Sequence, residues 1–120
     1  MHDKSYIYDE AVTKFGIESR LNLMQEEAAE LIAAINQHLR GRCGVEHVLE
    51  EMGDTYIMLM QLAVIFGHKA FDDACYESKI KLQNHRENAE KEREDEAKII
   101  NLHKLEKGMI RARKVDHEHD

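Results

Sequence analysis

Between Ile17 and Leu39 apolar side chains return at steps of three and four: Ile17, Leu21, Met24, Ala28, Leu31, Ile32, Ile35 and Leu39. That period belongs to a helix with one face turned toward a core. The segment RGRCG at 40–44 breaks it. Residues 45–66 then form a second periodic stretch that is apolar almost all round, with Val48, Leu49, Met52, Tyr56, Ile57 and Met58 followed by Leu59, Met60, Leu62, Val64, Ile65 and Phe66. Such a helix belongs in the middle of a bundle. A break this short predicts antiparallel packing of the two.

Two further helices flank this pair. Residues 5–15, SYIYDEAVTKF, predict a short helix stopped by Gly16. Gly67 closes the apolar stretch, and a fourth helix is expected from Lys69 to at least Gln83, with Phe71, Ala74, Cys75, Ile80 and Leu82 available for packing. The chain of 120 residues contains no proline and little glycine, which favours helix throughout. The expected fold is all-α, a four-helix-type bundle over residues 1–85. Residues 86–120 form a charged helical extension with a mobile tail. Within it RENAEKEREDE, at 86–96, is polar on every side and reads as a solvated helix or a disordered link. Ile99, Ile100, Leu102, Leu105, Met109 and Ile110 restore an apolar stripe and predict a short terminal helix seeking a partner surface. A chain this short buries a modest core, and assembly with further copies would add to it.

The formal charge of −7 argues against a general nucleic-acid-binding surface. An acidic protein that handles anionic ligands needs a cation between them. Cys43 and Cys75 match no metal or redox spacing and read as free thiols of a reducing compartment. MHDKSYIYDE lacks the apolar centre of a signal peptide, and no apolar run reaches membrane-spanning length. A cytoplasmic location with no membrane partner is the expectation.

The chemistry lies in two acidic pairs. Leu23, Glu27, Glu30 and Ala34 follow one another at steps of four, three and four. Glu51, Asp54, Met58, Leu62 and Ile65 follow at three, four, four and three. Each pair therefore shares a helix face with apolar neighbours. If the two helices pack antiparallel, four carboxylates converge at one level. Burying one ionised carboxylate costs several kcal/mol, and crowding like charges adds to that cost. Protonation, a basic partner or a metal ion relieves it. Few basic residues share the seams, although Arg20 stands one turn before Leu23. Carboxylate oxygens suit a hard divalent ion, Mg²⁺ or Mn²⁺, whereas zinc lacks a cysteine or histidine to complete a set. The competing reading places these acids in solvent at the edge of a bundle. The neighbours Glu26 and Glu50, a third of a turn away, read as exposed helix acids.

Other chemistries find no support. A di-iron bundle uses Glu-x-x-His on two helices, and no histidine here has a glutamate three residues before it. Ser5, Ser19 and Ser78 sit in no nucleophile-elbow context, and there is no glycine-rich phosphate loop.

The order KFGIESRLNLMQEEAAELIAAI, a short break, then EEMGDTYIMLMQL resembles the MazG-like branch of the all-α nucleoside triphosphate pyrophosphohydrolases, over roughly residues 10–83. The resemblance implies a four-helix-type domain that forms homo-dimers or tetramers. It implies Mg²⁺-dependent hydrolysis of a nucleoside triphosphate to the monophosphate and pyrophosphate. Glu27, Glu30, Glu51 and Asp54 would bind the metal and serve catalysis, and Lys79 would contact substrate phosphates. This chain departs from the pattern. It has Phe15 where relatives often have tryptophan, Arg20 near a usual glutamine, and Gln83 where a second basic residue is common, with Lys81 or Arg86 as substitutes. A dUTP or phosphoribosyl-ATP hydrolase of the same superfamily is the enzymatic alternative. A non-catalytic helical oligomer, binding through residues 97–110, is the alternative of a different class.

Overall fold

A computed structural model describes the backbone of residues 4–118 and the side chains through Arg113. Of the tail at 115–120, expected to be mobile, residues 115–118 continue the last helix, and 119–120 lie outside the described residues. The described residues form helices and turns, with no strand among them. Four helices follow in order: α1 (Tyr6–Phe15), α2 (Ile17–Leu39), α3 (Val45–Phe66) and α4 (His68–Glu118).

Glycine sets the first and last junctions. Gly16 separates α1 from α2 at φ 85°, and Gly67 separates α3 from α4 at φ 108°. Both values lie in the region that side chains with a Cβ avoid. Each amide still bonds back into the preceding helix, Gly16 N–H to Val12 O at 2.9 Å and Gly67 N–H to Ala63 O at 2.8 Å. Each junction thus meets one of the carbonyls that a helix end exposes. In the α2–α3 turn, His38 Nδ1 lies 3.1 Å from Cys43 O, and Cys43 Sγ lies 3.5 Å from Ala34 O.

By contacts the chain divides into residues 1–74 and 75–120. In the first unit α2 packs along α3, and α1 packs against both. Its core is thin. Ala34, Met58 and Ala63 are the buried apolar residues among those described. Two of the three are alanines, whose small side chains allow close helix approach, and the third is the adaptable methionine. At the start of α4, Ala70 and Phe71 border an apolar pocket with Leu59, Leu62, Ala63 and Phe66. The expectation that α3 is surrounded on all sides is met only on the faces that α1 and α2 cover. Leu49, Met52, Tyr56 and Ile57 remain about half exposed.

The second unit is a single helical run. The polar stretch at 86–96, open in sequence between helix and link, is helix, and it joins the expected fourth and terminal helices without interruption. Among the described residues, no helix is long and apolar enough to cross a membrane.

Candidate metal centre

α2 and α3 bring three of the four expected acids together. Glu27, Glu51 and Asp54 each offer a carboxylate oxygen within 4.8 Å of the other two. Glu51 is 9% exposed, Glu27 is half-buried and Asp54 faces solvent. The cluster thus opens on one side and is closed on the other. Glu30 is exposed and outside this trio, yet its carboxyl lies within hydrogen-bonding reach of both Glu27 and Glu51. Glu26 and Glu50 are exposed, as their positions on the helices predict.

One hydroxyl fixes the level at which the acids meet. Thr55, 8% exposed, donates to Glu51 O at 2.7 Å on its own helix. The same oxygen comes within 3.4 Å of Glu27 O on α2. A threonine bonding back by one turn is a familiar helical arrangement. Here it also puts the backbones carrying Glu27 and Glu51 side by side.

The electrostatics follow from this crowding. Burial raises the Glu27 carboxyl above its ordinary range, and the neighbouring charges of Glu30, Asp54 and Glu51 push it further. Glu51 is raised by the same causes: burial first, then Glu30 and Asp54. His47, four residues earlier on the same face of α3, pulls Glu51 the other way. Oε2 of Glu27 and Oε2 of Glu51 are buried and meet no hydrogen-bond donor. Acceptors closed off from water in this way carry an unmet desolvation cost.

These observations bear on whether a cation fits. Buried oxygens with no donor, converging with a third that reaches solvent, suit a hard divalent ion. Residue types alone do not make the cluster specific to one metal.

No protein-family profile, curated protein or solved structure matches the chain. The site therefore rests on its own geometry.

Further along the α2–α3 seam lies a second polar group. Gln61 is 4% exposed and donates through Nε2 to Ile57 O at 3.2 Å and toward Met58 Sδ at 3.3 Å. Its Oε1 accepts from a terminal nitrogen of Arg20 at 3.4 Å. The Arg20 guanidinium lies over the Phe15 ring, 4.4 Å from its centre, and donates to Ser19 Oγ at 3.1 Å. Lys79 is exposed on α4 in the second unit, where it borders a shallow groove with Leu82, Gln83 and Arg86.

Sequence reading passed over His47, Thr55 and Gln61. His47 had a usable signal, its four-residue spacing before Glu51. A search confined to glutamates three residues before a histidine misses that pairing. Thr55 and Gln61 had none, because their importance depends on what α2 places opposite them.

Proposed function

We propose that this protein is a divalent-metal-dependent hydrolase that cleaves nucleoside triphosphates to the monophosphate and pyrophosphate. The observation that carries the reading is the convergence of Glu27, Glu51 and Asp54, with buried oxygens on Glu27 and Glu51 that no donor meets. The resemblance of the two acidic helices to the MazG-like pattern supplies the substrate class. In this reading Glu27, Glu51 and Asp54 hold Mg²⁺ or Mn²⁺, with Glu30 beside them. The bound ion offsets triphosphate charge and lowers the pKa of water.

The chain's own residues do the rest. The covered side of the cluster excludes water from the carboxylates, while exposed Asp54 faces the approach of the ligand. Glu30, outside the clustered trio but within reach of two of its members, accepts the proton of the attacking water. Attack falls on the α-phosphorus and pyrophosphate leaves, so in-line positioning carries much of the rate gain. Lys79 enters as a phosphate contact on the resemblance alone. The thin core and the half-exposed apolar residues of α3 support a homo-dimer or tetramer that completes a four-helix-type bundle.

The test is a panel of NTPs and dNTPs with Mg²⁺, dUTP and phosphoribosyl-ATP included, assayed for the first phosphorus product. Pyrophosphate is expected, and the panel identifies the preferred member of the superfamily's substrates. Orthophosphate as the first product contradicts attack at the α position. The competing reading, a non-catalytic helical oligomer, requires no turnover and no metal-dependent change in thermal stability.

A further inference from the structure

Arg20 combines partial burial with the lack of a counter-charge. Among the described residues no carboxylate lies within ion-pair distance of its guanidinium. A guanidinium carries five N–H donors. One bonds Gln61 at the long distance of 3.4 Å and one bonds Ser19 at 3.1 Å. Nε is buried and meets no acceptor. Among the described residues, the remaining donors on the terminal nitrogens also find no acceptor. In a chain with a formal charge of −7, this cation pairs with none of the described acids.

Its position is fixed from two sides. Phe15 lies beneath the guanidinium plane, and buried Gln61 sets the rotation of one terminal nitrogen. Gln61 is itself anchored to Ile57 O. Arg20 precedes Glu27 by seven residues and Gln61 follows Asp54 by seven, so each shares a helix face with the acid. Because the helices run antiparallel, both displacements point the same way along the seam. Seven residues of helix make the offset about 10 Å. A triphosphate laid along the seam spans much of that distance, and the flexible arginine stem covers the rest.

We propose that Arg20, held by Phe15 and Gln61, is a phosphate-binding residue at the far end of the α2–α3 seam, gripping an oxyanion of a ligand whose other phosphates face Glu27, Glu51 and Asp54. The proposal rests on the phosphate-ligand part of the functional reading, and it adds a cation within the first unit. Arginine suits the role because its planar fork pairs with phosphate through two parallel hydrogen bonds, which an ammonium does not reproduce.

The probe is inorganic tripolyphosphate, titrated calorimetrically into the full-length protein with Mg²⁺ present. The wild type binds it. Arg20→Met weakens binding roughly 10–100-fold, the loss expected for hydrogen bonds to a charged group. Gln61→Glu gives the guanidinium an internal carboxylate partner and weakens binding to a similar extent while the thermal midpoint is retained, which separates ligand loss from misfolding. Arg20→Lys falls between wild type and Arg20→Met. Lys69→Met, which removes one positive charge from an exposed pair with Asp73, leaves binding unchanged. No binding by the wild type, or binding by Arg20→Met and Gln61→Glu within twofold of wild type, overturns the proposal. The nucleotide panel distinguishes the two readings. Arg20-dependent tripolyphosphate binding without NTP turnover sinks the hydrolase and keeps the phosphate site. Pyrophosphate release with a KM indifferent to Arg20→Met does the reverse.

Discussion

At Glu51 two demands meet on one side chain. The carboxylate is nearly enclosed, one of its oxygens has no donor, and two other acids stand within 4.8 Å through Glu27 and Asp54. A neutral amide of the same shape removes the repulsion. Glu51→Gln is therefore expected to raise the thermal midpoint of the metal-free protein. It should also abolish the rise that Mg²⁺ or Mn²⁺ produces in the wild type, because an amide is a poorer ligand than a carboxylate. Scanning fluorimetry with chelator and with each metal reads both effects. An undiminished metal-dependent shift in the variant removes Glu51 from the site. Asp54→Asn, on the open side, should reduce the metal response with less change in the metal-free midpoint.

At the scale of helices, the Thr55 hydroxyl joins the α3 turn carrying Glu51 to the α2 backbone at Glu27. Thr55→Val keeps the volume and removes the donor, and should cost about 0.5–1.5 kcal/mol. A shift in the urea midpoint with unchanged slope is the expected signature. A change in slope would mean that the denatured ensemble, not this bond, had been altered. How much of these elements could be read beforehand depends on how local the cause is. Gly16 and Gly67 act at their own positions through φ, so the helix ends near them were legible to within a residue or so. The segment 86–96 has no apolar stripe, and residue types there did not distinguish exposed helix from link. The acidic pairs were legible because i, i+3 spacing fixes which side chains share a face. That Glu30 stands beside the trio instead of within it depends on the rotation of α2 against α3. The Arg20–Gln61 bond likewise crosses between helices 41 residues apart in sequence. No local pattern encodes such a register.

For the molecule as a whole, the raised carboxyls of Glu27 and Glu51 make stability depend on pH. Their folded-state values lie above the ordinary 4.5, so the folded chain holds these protons to higher pH than the unfolded chain. Their contribution is fully present below about pH 4.5 and is lost as pH rises through the folded-state values. In chelator, these two groups should therefore lower the thermal midpoint as pH rises above about 4.5. With Mg²⁺ the trend should flatten or reverse toward neutrality, since the ion binds the ionised forms that the bare site disfavours. Midpoints measured across that range for wild type and Glu51→Gln isolate the effect, and parallel curves with and without metal would contradict it.

The Thr55 contact also predicts where the chain tolerates an extra residue. Lengthening the turn at 40–44 leaves α2 and α3 free to keep their alignment. One residue inserted between Glu30 and that turn, or between it and Glu51, rotates an acidic pair by about 100° relative to the remainder of its helix. A family of such insertions would therefore divide by position: those within the hinge would spare ion binding, and those a few residues to either side would erase it while leaving helix content nearly constant.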